Sequence, residues 1–188
     1  DVQCTDSAGV SERAAVTVGP GVSIQPTAPA VPPRGSISFR ADGGDTLNGY
    51  TWSVSTNASG AAIDGGSGFY VAGVAGSVTD VVSVVDALGN TAQMNVTVGP
   101  VVSILPSTVS LAPGASRQFA AAGGDGRFSY AMVSNPSGSS VSDAGDYTAG
   151  RTGNTMDAVR VSDSLGNTAT ATVTITAGVS VMPAKYVG

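Results

Sequence analysis

A twenty-residue pattern recurs three times in this chain of 188 residues. It reads VVSVVDALGNTAQMNVTVGP at residues 81–100, AVRVSDSLGNTATATVTITA at 158–177 and DVQCTDSAGVSERAAVTVGP at 1–20. Each copy has an alternating apolar run, a turn built on Asp-x-x-Gly and a second run. Alternation on both sides of a short turn predicts a β-hairpin. We therefore expect three equivalent hairpins.

The hairpins belong to a longer repeat. An offset of 80 relates Phe39 to Phe119, whereas an offset of 77 relates Tyr70 to Tyr147. A three-residue deletion between Val54 and Tyr70 explains the change, and loops tolerate such deletions. The chain is thus predicted to hold four parts, which are the last two strands of a preceding repeat (1–18), repeat 1 (19–98), repeat 2 (99–178) and the start of a following repeat (179–188).

Within repeat 1 the pattern predicts seven short strands, near residues 22–25, 35–41, 50–55, 61–64, 69–72, 78–86 and 91–98. Val and Thr favour strands, and the single Glu and single Lys are too few for helix surfaces. The fold class predicted is all-β, with small antiparallel sandwiches of about seven strands each.

The alternation also predicts the core. Ser83 and Arg160 should face solvent, while Cys4 aligns with inward valines and is expected to be a buried structural thiol. The inward residues are Phe39, Tyr50, Trp52, Val82 and Val84 in repeat 1, and Phe119, Tyr130, Met132, Val159 and Val161 in repeat 2.

Several motifs carry a resemblance. They are Val-Ser-Ile-x-Pro, Gly-Gly-Asp, Tyr-x-Trp-Ser, Tyr-x-Ala-Gly and Val-x-Asp-x-Leu-Gly-Asn-Thr-Ala. Over essentially the whole chain they resemble the bacterial immunoglobulin-like (BIg-type) tandem repeats of large surface and secreted proteins, as in myxobacterial-type arrays. The resemblance implies immunoglobulin-like sandwiches that serve as stalks, adhesins or spacer modules of exoenzymes.

Charge excludes some partners. The net charge is −5, and the seven arginines are scattered, so no basic patch for nucleic acid is expected. No apolar run approaches the ~20 residues of a membrane helix. Low charge, abundant Ser, Thr and Gly, and tandem repetition predict an extracellular or bacterial cell-surface location.

Residue types argue against catalysis. The chain has no histidine, which excludes Ser-His-Asp and Cys-His chemistry. Lys–Asn isopeptide bonds need a lysine in each domain, and the only lysine is Lys185, in the trailing fragment. We expect no enzyme activity.

The hairpin loops hold the only metal candidates. In these turns Asp86, Asn90, Asp163 and Asn167 are expected to bond backbone amides. Calcium, in these loops or between repeats, is the alternative, because carboxylates and loop carbonyls are hard oxygen ligands. Asp-x-Asp spacing is absent, and other carboxylates such as Asp80 are isolated. No other cofactor is expected.

The function predicted is a structural or adhesive segment of a long bacterial extracellular protein or surface filament. Its partners would be neighbouring repeats of the same or identical chains, with a cell-surface or matrix ligand as a further partner. The alternative is a non-catalytic carbohydrate-binding or spacer module of a secreted enzyme, for which Tyr50, Trp52 or Tyr70 should lie flat on the surface.

The two end fragments lead to a further expectation. A lone two-stranded hairpin is marginal in water, so we expect either that a neighbouring copy covers the segment 1–18 or that further strands of the same repeat lie outside the given sequence. The tail from Val179 could supply a strand to it. In an isolated chain, Val2, Cys4 and Val16 would then be uncovered.

Overall fold

The computed structural model describes residues 1–179 of the chain. This part contains twenty β-strands and no helix, which confirms the all-β prediction. None of it is therefore a helix long and apolar enough to cross a membrane. The chain opens with a two-stranded hairpin of β1 (Val2–Thr5) and β2 (Ser11–Ala14).

Repeat 1 contains all seven predicted strands, with small changes. The predicted strand at 35–41 is interrupted at Phe39, and a short strand at Ala30–Val31 was not predicted. The strands are β3 (Ser23–Gln25), β4 (Ala30–Val31), β5 (Ser36–Ser38), β6 (Arg40–Asp42), β7 (Tyr50–Thr56), β8 (Ala62–Ile63), β9 (Phe69–Val71), β10 (Val78–Asp86) and β11 (Thr91–Val98).

The strands of repeat 1 form two layers. One is a four-stranded sheet in the order β4-β11-β10-β7, with β4 parallel to β11 and the other pairs antiparallel. The other layer consists of the pair β3-β6 and the three-stranded sheet β5-β9-β8. With β3 and β4 as strand A, and β5 and β6 as strand B, this is the A-to-G order of an immunoglobulin-like sandwich.

Repeat 2 has the same strand order. Its sheets are β13-β20-β19-β16, β12-β15 and β14-β18-β17. The strands are β12 (Ser103–Leu105), β13 (Thr108–Leu111), β14 (Ser116–Gln118), β15 (Ala120–Ala122), β16 (Ser129–Ser134), β17 (Ser140–Val141), β18 (Asp146–Thr148), β19 (Thr155–Ser162) and β20 (Thr168–Ile175).

Two separate clusters of buried side chains lie between these layers, one in each repeat. The predicted inward valines and the two phenylalanines are buried, Trp52 is 5% exposed, and Tyr50, Tyr130 and Met132 pack partly buried against the clusters. Ser83 is half-buried and Arg160 is exposed. The boundaries of the parts, at residues 19, 99 and 179, stay predictions.

The prediction for Cys4 was wrong, because its side chain is exposed. In repeat 1 the equivalent hairpin is flanked by β7 and β4 and faces a second sheet, whereas within the described part of the chain β1 and β2 pair only with each other. Val2 and Val16 are accordingly 61% and 60% exposed. The second strand also ends at Ala14, earlier than the predicted run to residue 18. Lys185 and almost all of the predicted trailing fragment lie outside the described residues.

Candidate functional site

The loop between β10 and β11 is organised by one carboxylate. Oδ1 of Asp86 accepts hydrogen bonds from the backbone amides of Leu88 (3.0 Å) and Asn90 (2.8 Å). Oδ2 accepts bonds from Nδ2 of Asn90 and from the amide of Asp45, both at 2.7 Å. These bonds, first of all those from the side chain of Asn90 and the amide of Asp45, lower the pKa of Asp86 to about 2.

Gly44 makes the contact with Asp45 possible. Its φ is +63°, a left-handed conformation that favours glycine, and a Cβ there would lie 2.4 Å from Oδ2 of Asp86. The Gly-Gly-Asp motif thus brings a second loop against the hairpin turn.

Repeat 2 builds the same loop around Asp163. Its carboxylate accepts bonds from the amides of Leu165 and Asn167 and from Nδ2 of Asn167, with the amide of Asp125 at 3.2 Å. Burial alone would raise the pKa of Asp163, but these hydrogen bonds lower it overall.

One contact in this loop joins the two repeats. Nδ2 of Asn167 also donates a 2.9 Å hydrogen bond to the carbonyl oxygen of Pro33, which lies in repeat 1 just after β4. Asn167 is only 9% exposed, and Pro33 is buried. The hairpin loop of repeat 2 is therefore seated on repeat 1.

The short linker is bonded to both repeats as well. The amide of Gly99 donates to the carbonyl of Val31, and its own carbonyl accepts from the amide of Ser77, both at 2.8 Å. One residue further on, the carbonyl of Pro100 accepts from the amide of Gly124 in repeat 2, at 2.9 Å. We call the contacts of Gly99, Pro100 and Asn167 the joint.

The calcium candidates occupy two separate loops. Asp86 lies with Asn90 in repeat 1, and Asp163 lies with Asn167 in repeat 2, and in each carboxylate both oxygens already accept protein N–H groups. Within residues 1–179, no three His, Cys, Asp or Glu residues gather as metal ligands would. Calcium at these residues stays a prediction.

Sequence reasoning missed a buried polar cluster in each repeat. In repeat 1, Asp80 accepts bonds from the hydroxyls of Tyr70 and Ser59, both at 2.5 Å, and from the amides of Ala58 and Ser59. Burial would raise the pKa of Asp80, yet these bonds lower it overall. Asp80 shares the inward parity of Val82 and Val84, which was the available signal.

Repeat 2 contains the equivalent cluster. The hydroxyls of Tyr147 and Ser137 donate to Oδ2 of Asp157, both at 2.5 Å, and the amide of Ser137 donates to Oδ1. Asp157 is fully buried. The clusters are buried, and their hydrogen bonds tie the strands of each repeat together.

The three aromatic residues named for a sugar-binding surface are wholly or partly buried. Trp52 is 5% exposed, Tyr70 is fully buried, and Tyr50 is half-buried with its hydroxyl donating to the carbonyl of Gly43. None of the three side chains named for a sugar-binding surface therefore lies flat on the surface.

Comparisons with known proteins identify no family. No protein-family model matches the chain, and no curated protein matches it. Similar solved structures include a C-terminal 282-residue intimin fragment in complex with the intimin-binding domain of the translocated intimin receptor (14% identity, 85% of this chain and 64% of that chain, TM-score 0.42). Another is the human desmocollin-1 ectodomain (13% identity, 90% of this chain and 39% of that chain, TM-score 0.42). A third is surface layer protein SbsC, domains 1–6 (14% identity, 93% of this chain and 30% of that chain, TM-score 0.34).

The chain spans less than two thirds of each of these structures. At such TM-scores the likeness identifies neither partners nor activity. The strand order itself assigns the fold, which is that of immunoglobulin-like β-sandwiches.

Proposed function

We propose that this chain is a structural, non-catalytic segment of a long bacterial extracellular protein, in which immunoglobulin-like repeats follow one another in a fixed orientation. The joint carries this proposal. Its linker residues, Gly99 and Pro100, bond to opposite repeats, and Asn167 adds a side-chain bond to Pro33. A flexible Gly/Ser linker would leave such groups to water.

The sequence of the linker supports the same conclusion. Proline fixes its own φ and restricts the residue before it, so Gly99-Pro100 has fewer alternative conformations than a Gly/Ser linker of the same length. A segment with restrained joints extends by the length of each added repeat, which suits a stalk or filament that holds another domain away from a surface. Neighbouring repeats of the same or an identical chain are the partners that we propose, with a surface or matrix ligand as a further one.

The hairpin of β1 and β2 has edges that another β-strand can pair with. Among residues 1–179 this pair has no third strand, and the apolar side chains of Val2, Val16 and Val18 are largely exposed. Unpaired strand edges are sites for pairing with other strands. The carbohydrate-binding alternative lacks a comparable observation, because Trp52 and Tyr70 are buried.

The joint can be tested by electron–electron double resonance. Thr51 and Ala131 are exposed, equivalent positions in the two repeats, and the variant C4S/T51C/A131C carries spin labels only there. We expect one narrow distance distribution. Insertion of a Gly-Ser-Gly-Ser segment between Gly99 and Pro100 should broaden it. A distribution equally broad in both chains would overturn the proposal.

A further inference from the structure

Each half of the joint has an equivalent in the other repeat, and these equivalents take no part in the joint. In repeat 2 the seated half, which we call the amide end, consists of Gly124, Leu165 and Asn167. The equivalent amide end of repeat 1 consists of Gly44, Leu88 and Asn90. The other half, the carbonyl end, contains Pro33 in repeat 1 and Pro113 in repeat 2.

The two amide ends differ in exposure. Leu165 is 36% exposed, whereas Leu88 is 77% exposed. Asn167 is buried and Asn90 is exposed. The same loop with the same internal bonds is thus covered in repeat 2 and open in repeat 1.

The carbonyl ends differ in the same sense. Pro33 is buried against repeat 2, while Pro113 is half-buried. Their backbones are held alike, since the amide of Gly99 bonds to the carbonyl of Val31 and the amide of Thr176 bonds to that of Leu111. The carbonyl end is therefore buried in repeat 1, where it belongs to the joint, and partly exposed in repeat 2.

The side-chain amide of Asn90 is held in the same way as that of Asn167, which donates across the joint. Its Nδ2 lies 2.7 Å from Oδ2 of Asp86, and Nδ2 of Asn167 lies 2.8 Å from Oδ2 of Asp163. An amide nitrogen has two hydrogens, and in Asn167 the second one goes to Pro33. No second acceptor for Asn90 is found among residues 1–179.

The terminal hairpin cannot supply that acceptor. Residues 1–18 are equivalent to residues 81–98, whereas the carbonyl of Pro33 follows β4, and among residues 1–179 no strand equivalent to β4 pairs with the hairpin. The linker before repeat 1 already makes one of the contacts of the joint. The amide of Gly44 donates to the carbonyl of Pro20, as the amide of Gly124 donates to the carbonyl of Pro100.

From this we infer that the amide end of repeat 1 is a docking surface for the carbonyl end of another repeat of the same kind, placed directly before residue 19, and that Nδ2 of Asn90 donates to its Pro33-equivalent carbonyl. The inference rests on the proposed function, because it extends the observed joint to a second position. One joint geometry then propagates along the polypeptide.

The test uses an extended chain in which a copy of residues 19–98 replaces residues 1–18. Spin labels at position 51 of repeat 1 and at the equivalent position of the added copy report on the new joint. We expect a distribution as narrow as that between positions 51 and 131. Asn90→Ala in repeat 1 should broaden it to the same degree that Asn167→Ala broadens the existing joint.

The matched control is Asn90→Ala in the original chain, labelled at positions 51 and 131. It removes the same bond to Asp86 but should leave that distribution unchanged. As a second readout, hydrogen exchange of the Asn90 side-chain amide should slow in the extended chain to the rate of Asn167.

The outcomes separate the two proposals. If the distance distribution across the new joint is broad while that across the existing joint is narrow, the docking surface alone is overturned. The same holds if the new joint is narrow but is insensitive to Asn90→Ala, with amide exchange unchanged. If both joints are as broad as the Gly-Ser insertion variant, the proposed function fails as well.

Discussion

The hydroxyl of Tyr70 donates a 2.5 Å hydrogen bond to Oδ2 of Asp80, and both side chains are fully buried. Tyr70 lies on β9 in one layer of the sandwich and Asp80 on β10 in the other. The bond therefore connects the two layers through the middle of the core. Burial, followed by this bond, raises the pKa of Tyr70, so the hydroxyl stays a donor at neutral pH.

Tyr70→Phe should lower the unfolding free energy of repeat 1 by about 1.5–3 kcal/mol, the usual cost of losing a hydrogen bond to a charged group. Urea titration followed by fluorescence of Trp52, the only tryptophan, measures this repeat specifically. Tyr147→Phe is the matched control, because it removes the equivalent bond in repeat 2. An equal shift of the Trp52 transition in both variants would contradict a role specific to each repeat.

Gly73→Ala should be strongly destabilising. A Cβ at Gly73 would lie 1.9 Å from the carbonyl oxygen of Ser59, which is backbone and cannot rotate away. We expect the free energy of unfolding to fall by about 3 kcal/mol, the upper part of the usual range for overpacked sites. Gly65→Ala is the control, since the nearest atom to its Cβ would be 3.6 Å away. Thermal unfolding of the two variants measures the difference, and similar midpoints would refute the close approach.

Trp52→Ala should cost about 3–5 kcal/mol, as large-to-small aromatic changes in cores do. The ring of Trp52 stacks on Phe39 with centroids 5.9 Å apart. Ser53→Ala, on the exposed face of the same strand, should change little. Because the first variant has no tryptophan, hydrogen exchange of the β7 and β10 amides is the measurement. Comparable exchange rates in both variants would show that the assigned faces of β7 are wrong.

Stability should fall in acid through Asp86. Its folded-state pKa is about 2, below the ordinary 3.8, so the unfolded chain binds its proton first. Its contribution is therefore complete above about pH 4 and is lost as the pH falls towards 2. Titration of the carboxyl carbon by NMR measures the pKa directly. In Asp86→Asn, the urea midpoint should depend less on pH in this window, and an unchanged dependence would contradict the assignment.

Much of the fold follows from the alternation of β10 and β11. Val82, Val84, Val96 and Val98 share one parity and are all buried. The strand β4 could not be found in this way, because it has two residues and pairs with Thr97–Val98, far away in sequence.

The site was less accessible to sequence reasoning than the strands. The turn chemistry of Asp86 is local, so its spacing to Gly89 and Asn90 indicates it. The bond from Asn167 to Pro33 connects residues 134 positions apart, and no local pattern marks it. For Cys4 the alternation is intact, but the prediction of burial fails because no sheet among residues 1–179 faces the hairpin of β1 and β2.

The parallel pairing of β4 with β11 determines how a repeat carries load. The chain enters repeat 1 through β3, which pairs with β6 in the other layer, continues into β4 and leaves after β11, and β4 and β11 run in the same direction. Tension on the two ends therefore pulls the strands past each other lengthwise. The bonds from the Thr97 amide to Pro29 and from the Gly99 amide to Val31, at 3.0 and 2.8 Å, resist together in shear and do not peel apart one by one.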